Sequence, residues 1–239
     1  MKFNELVIDG VKTSSFPFDV IVYDSPSFIT SNSKTQLYEH DGISGAVVQT
    51  NKHRSLIEKS YTLYLLNPSE TDMYRFMSLF QREGFWLESE RVKTTRLWCY
   101  RVNATEAIKE GHNTYKVNAT FICHPTKYFK SSDTQTLTRN GVIWSQGSAL
   151  AFPKITISGS SVTETTFTVG KQVIRLEKLS EPLVMINDPS DPSFKTASGK
   201  LIKWSGDFIT IDPTTAETVG VALGSGITSL KFETVWGWA

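Results

Sequence analysis

The stretch SETDMYRFMSLFQREG, residues 69–84, decides how the rest of the chain is read. Met73, Phe76, Met77 and Phe80 recur at i, i+3, i+4 and i+7, which places four large apolar side chains on one stripe of a helix. Ser69 is a natural N-cap. Glu70 and Asp72 put negative charge where the helix dipole favours it, Arg82 falls in the last turn, and Gly84 supplies a left-handed stop. No other segment reads as a convincing helix, and nearly everything else alternates with period two. One helix among strands has to cover a sheet, so its stripe marks the first core.

On either side of the helix the pattern is β. Tyr61–Leu66 is a buried strand stopped by Asn67-Pro68, and FWLESE and LWCYRVNATE follow Gly84 as strands. Upstream, Glu5–Ile8 is a short strand before the hairpin signal Asp9-Gly10, and Phe18–Tyr23 is another, ahead of the turn-rich SPSFITSNSK. Downstream, TYKVNATFICHP puts Tyr115, Val117, Ala119, Phe121 and Cys123 on one face, with Pro125 expected to close the strand. The segment from Gly42 to Lys59 mixes β-branched residues with glycine, serine and charge. It reads as an extended arm or hairpin outside the core, whose backbone donors and acceptors need partners that a second copy could provide.

Residues 127–141, KYFKSSDTQTLTRNG, are polar and turn-forming, and divide the chain into an N-terminal domain of residues 1–138 and a C-terminal domain of residues 139–239. The second domain is entirely β, with strands expected at Lys154–Ser158, Thr165–Val169, Gln172–Leu176, Leu183–Asn187, Asp207–Ile211, Val219–Leu223 and Ser229–Trp236. Short strands at this spacing make a β-sandwich. The fold class is therefore mainly β: an N-terminal β domain with one helix and an extended arm, then a sandwich.

Composition narrows the function. The 14 Phe, 8 Tyr and 6 Trp suffice for buried cores. No apolar run reaches the roughly 20 residues that cross a bilayer, and MKFNELVIDG lacks a signal peptide's apolar segment, so a protein folded in a cytosol is expected. Residues 1–138 hold 16 Lys and Arg against 15 Asp and Glu, and residues 139–239 hold 9 against 9. That balance argues against a nucleic-acid partner. The best basic cluster, Arg91, Lys93, Arg96 and Arg101 around Trp98 and Tyr100, reads as a strand with a solvated face beside a basic loop. Cys99 and Cys123 lie in no metal-binding spacing and read as small buried hydrophobes, with a disulfide as the alternative.

Motifs of chemistry do not emerge. His40, His53, His112 and His124 share no motif, and the chain has no P-loop, no G-x-S-x-G, no G-x-G-x-x-G and no H-E-x-x-H. Gly224-Ser225-Gly226 reads as a hairpin turn, and Asp188, Asp191 and Asp207 as turn residues rather than a calcium loop. No catalytic, cofactor-binding or metal-ligating residue is assigned, and no enzyme is expected. Trp144, Trp204, Trp236 and Trp238 are weighed as core against a sugar-stacking platform, with core or interface preferred.

Several stretches together resemble a family. They are the turn His40-Asp41-Gly42 before the arm, the lone helix, and Phe121, Cys123, Pro125 and Tyr128 in F-x-C-x-P-x-x-Y. Asn140-Gly141, the strand PKITISG from Pro153 and the ending GDFITIDPTTAETVGVALGSGITSLKFETVWGW complete the set. The ending is similar to the G-D-F-P-x-L-x-P-G-x-N-x-I segment and final strand of phage distal tail proteins of long-tailed phages infecting Gram-positive bacteria. Ile209 stands in place of a proline, Pro213-Thr214-Thr215-Ala216 in place of P-G-x-N, and VWGW lacks the usual arginine. The resemblance implies a structural baseplate hub of the virion tail tip, assembled in the host cytoplasm. Its N-terminal domains would form a hexameric ring between the tail tube and the tail-associated receptor-binding or lysin protein, with no cofactor and no membrane. It also implies a galectin-like C-terminal sandwich. The alternative is a carbohydrate-binding or adhesin-type module stacking sugar on Trp204, Trp236 or Trp238, and a β-sandwich glycosidase has the weakest support.

Overall fold

The computed structural model describes residues 4–23, 27–42, 44–103 and 105–239, with backbone alone at residues 50–52. The chain forms two compact units, Met1–Tyr128 and Phe129–Trp238, with Ala239 assigned to the first. The division lies earlier than the expected 138/139, because residues 133–137 of the polar connector are a strand of the second unit.

In the first unit, β1 (Leu6–Ile8) turns through Asp9 and Gly10 into β2 (Val11–Lys12). Both turn residues have positive φ, 51° and 75°, which is what a two-residue hairpin of this hand demands. β3 (Asp19–Val22), β4 (Ser33–Glu39), β5 (Ala46–Arg54) and β6 (Ile57–Leu66) precede α1 (Glu70–Met77). A 3-10 turn, Ser78–Gln81, carries the helical stripe one step further. β7 (Phe85–Ser89), β8 (Thr95–Val102), β9 (Ala107–Gly111) and β10 (Thr114–Phe129) complete the unit. The sheet runs β2-β1-β7-β8-β10-β6-β3, with β9 also on β10.

The helix behaves as its sequence requires. The Ser69 side chain accepts a hydrogen bond from the Asp72 backbone N–H, Gly84 follows the helical turns at φ 63°, and Phe76 is fully buried. Phe76 packs edge-on against Phe16, Phe18 and Phe80, while Met73 and Met77 flank the same core. Beneath them lie alternate residues of β6 and β10, Leu63, Leu65, Val117, Ala119 and Phe121.

Two expectations for this unit are corrected. Pro125 does not close its strand: β10 continues to Phe129. Pairing with β6 ends at Cys123, so the proline removes no donor from that ladder, and the following Thr126 N–H donates to His124 Nδ1. Nor does the arm run from Gly42 to Lys59. Ile57 and Lys59 are already buried residues of β6, and the arm is the β4–β5 hairpin, whose first strand begins at the end of the turn-rich SPSFITSNSK and continues through residues 35–38, to which no element was assigned. Asp24 to Pro26, Ile43 of the expected arm and Ala104 of LWCYRVNATE lie outside the described residues.

The second unit is a two-sheet sandwich, as expected. Its strands are β11 (Asp133–Leu137), β12 (Gly141–Trp144), β13 (Lys154–Gly159), β14 (Thr165–Val169), β15 (Gln172–Leu176), β16 (Leu183–Ile186), β17 (Ser193–Thr196), β18 (Trp204–Ser205), β19 (Thr218–Leu223) and β20 (Ile227–Thr234). One sheet runs β11-β20-β13-β16-β17 and the other β12-β19-β14-β15-β18. Ile155, Ile157, Phe167, Val169, Leu230 and Phe232 interdigitate between them.

Asp207–Ile211 is not the ladder strand its alternation predicts. Ile209 and Ile211 are buried, but the backbone is held largely by side chains. The Gln172 amide donates to Thr210 O and accepts from Thr210 N, the Asn187 oxygen accepts from Ile209 N at 2.7 Å, and one bridge joins Ile211 to Ala151. Asn187 is itself buried and donates to Pro153 O.

Replacing Phe76 with alanine should cost about 3–5 kcal/mol by removing a core ring, while Tyr74→Ala, on the exposed side of the helix, should cost under about 0.5 kcal/mol. Urea unfolding of each variant checks the contrast. Asn187→Ala leaves two buried backbone groups without partners and should cost about 2–4 kcal/mol, read the same way.

Candidate assembly surface

The β4–β5 hairpin is the feature of the first unit that its own core does not explain. Its register sets Leu37 opposite Val48 and Tyr38 opposite Val47. Strand alternation then puts the first pair on one face and the second on the other. All four are exposed, Leu37 at 65%, Val48 at 60%, Val47 at 56% and Tyr38 at 50%. Each face of the ribbon thus carries one apolar cross-strand pair in solvent. The two strands form a sheet of their own, so each also presents an outer edge of backbone donors and acceptors. A two-stranded ribbon without a covered face is marginal in water.

The base of the hairpin is better anchored than its body. Ser55 N–H donates to Asn32 O at 2.9 Å and Arg54 Nη1 to Ser31 O at 3.3 Å. Lys59, on the core side of β6, sends its ammonium to Ser27 O at 2.9 Å and lies 5.2 Å above the Tyr61 ring. Lys59 therefore holds the chain that enters the hairpin, a role its place in a charge-bearing segment did not suggest. The missed residues are Leu37 and Tyr38. The signal for them was present: TQLYE and AVVQT flank a short turn-forming loop containing Asp41-Gly42, which is a hairpin pattern.

The basic cluster weighed for nucleic acid is not assembled into a groove. Arg96 stacks 3.9 Å over the Trp86 ring and lies 3.9 Å from Glu88, so its charge is engaged within the sheet. Trp98 packs against Trp86 and Tyr100 lies beside His124. The alternation slips by one residue after Cys99, so Val102 is buried and Arg101 stays exposed.

The histidines remain apart in role. His40 Nδ1 accepts from Gly42 N–H in the hairpin loop, and His124 Nδ1 lies 3.2 Å from the Tyr128 hydroxyl. Among the described residues no three His, Cys, Asp or Glu side chains group as a metal site. Asp188 closes a turn by accepting from Ser190 N and Oγ. Of the weighed tryptophans, Trp236 is buried with its indole N–H donating to Asp133 Oδ2 at 3.0 Å, and Trp204 packs between Phe194 and Phe208. Trp238 is half exposed against Phe129, so Trp236 and Trp238 do not make a joint platform. Trp144 is exposed on β12.

The fold defines a class: mainly antiparallel β proteins in which a helix-backed sheet carrying a two-stranded ribbon is followed by a β-sandwich. The chain is similar to the solved structure of SPP1 Dit (gp 19.1), a protein presented as a paradigm of the hub adsorption apparatus in phages infecting Gram-positive bacteria. The likeness covers 97% of this chain and 98% of that one, at a TM-score of 0.71 and 16% sequence identity. The two proteins share a fold. No protein-family model matches the chain, and no curated protein sequence matches it. Among the described residues no helix is long and apolar enough to cross a membrane.

In the isolated chain, backbone amides of β4 and β5 should exchange with deuterium orders of magnitude faster than those of β6 and β10, because Leu37, Tyr38, Val47 and Val48 of the ribbon are all exposed. Exchange mass spectrometry checks this; equal protection would mean that the ribbon is already paired in solution.

Proposed function

We propose that this chain is a structural hub of a phage tail, a non-enzymatic component of the tail tip that assembles as a ring. The observation that carries the reading is the shared fold with SPP1 Dit over nearly the full length of both chains. The uncovered ribbon supports it from this chain's own residues. A ribbon with an exposed apolar pair on each face and strands paired only with each other is costly alone and suited to lie between neighbours, as closed heterologous contacts require. On this reading the first unit makes the ring, six copies joining the tail tube to the receptor-binding or lysin protein, and the galectin-like sandwich holds other baseplate parts. Assembly would take place in the host cytoplasm. The sugar-binding alternative is not favoured, because Trp204 and Trp236 are committed to the sandwich's own packing.

The double variant Leu37→Glu, Val48→Lys tests the ring. It places charge on one face of the ribbon without touching the core. Self-association should weaken by at least about tenfold, equivalent to ~1.4 kcal/mol, with the melting temperature of the monomer changed by no more than about 2 °C. Sedimentation of wild type and variant over a concentration series reads the first and calorimetry the second. Assembly of the variant as tight as wild type would remove the ribbon from the interface.

A further inference from the structure

Cys99 on β8 and Cys123 on β10 are both fully buried, and their sulfurs lie 3.1 Å apart. The two strands are immediate neighbours in the sheet, and both side chains point into the same core. Sulfurs this close on adjacent strands need only a short further approach to reach the length of a disulfide bond. Among the described residues neither thiol belongs to a group that could hold a metal ion, and burial accounts for two small side chains without accounting for their contact. A pair of alanines or valines would fill the same space.

We propose that Cys99 and Cys123 are a latent oxidation site, present as two thiols in a reducing cytosol and closing to a cross-strand disulfide when the protein meets a disulfide-type oxidant. The thiolate of one cysteine attacks the oxidant RSSR, forming a mixed disulfide and releasing one RS⁻. The other cysteine then attacks the protein sulfur of that mixed disulfide and expels the second RS⁻. The two thiols lose two protons and two electrons, and RSSR leaves as two RSH. Hydrogen bonding to Cys123, together with burial, pushes the Cys99 thiol up, so the first step is slow in the closed sheet and proceeds from a locally opened one. Once formed, the bond joins β8 to β10 across the 24-position separation of the two cysteines, and the same burial shields it from reductants. The proposal does not depend on the tail-hub reading: it follows from the placement of the two sulfurs alone.

The test uses the whole wild-type chain and oxidised glutathione, at mildly alkaline pH with urea below the unfolding transition. The expected result is a mass lower by two hydrogens, no retained glutathione, both thiols lost to alkylation, and, in a digest made without reductant, one disulfide-linked peptide pair joining Cys99 to Cys123. The melting temperature should rise by roughly 5–10 °C and fall back on reduction. Cys123→Ala should instead retain one glutathione on Cys99. Stable glutathione adducts on wild type, linked dimers, or two thiols that survive these conditions would each overturn the proposal, as would closure that lowers the melting temperature.

Discussion

A strand at the margin of a sheet leaves a row of backbone donors and acceptors that water satisfies only while it stays exposed. Much of this fold follows from how the chain answers that constraint. In the sandwich the answer is chemical. The Gln135 amide donates to Trp144 O and accepts from Trp144 N, so one side chain takes the place of a missing strand beside β12. Gln172 does the same for Thr210, and Asn187 joins Pro153 O to Ile209 N within the core. An amide carries one donor group and one acceptor in nearly the geometry of a peptide unit. These side chains thus complete the hydrogen bonding of segments that no neighbouring strand can reach.

That device explains what the sequence conceals. The helix was legible because its cap, stripe and stop are all local, within residues 69–84, and its core partners alternate along β6 and β10. The strands β13, β14, β15, β19 and β20 were legible for the same reason. Asp207–Ile211 carries the same alternation, yet its partners are amides from elsewhere in the chain, and periodicity cannot distinguish a ladder from a side chain imitating one. β11 was hidden because DTQTL has threonine and glutamine where a buried strand would have valine. It is a strand because β20 offers it a full edge. Pro125 misleads for a related reason: proline forbids donation, not extension, and beyond Cys123 no β6 partner remains to be bonded.

The candidate surface was half legible. The mixed character of residues 42–59 indicated something outside the core, but a ribbon needs two strands, and the first was concealed by the polar run before it. The sequence placed Lys59 in the arm because lysines belong at surfaces. The structure places it beneath the sheet, its ammonium bonded to Ser27 at the chain's entry to the ribbon. A buried lysine is tolerated only with such partners, so the hairpin's root is fixed even where its faces are bare.

The two units therefore treat the same constraint in opposite ways. The sandwich completes the backbone bonding of Trp144 and Thr210 with its own amides and buries Trp236 with a carboxylate on its indole. The first unit fixes the base of its ribbon by hydrogen bonds and leaves Leu37, Tyr38, Val47 and Val48 in water. Each bare side chain forgoes on the order of 1–2 kcal/mol of burial that a neighbour would restore. Folding of the monomer alone gives no reason to anchor the root of a ribbon so firmly and clothe its faces in apolar side chains. Both features fit together if the ribbon's covering surface belongs to another molecule, and the cost of its exposure is then the driving force for that contact.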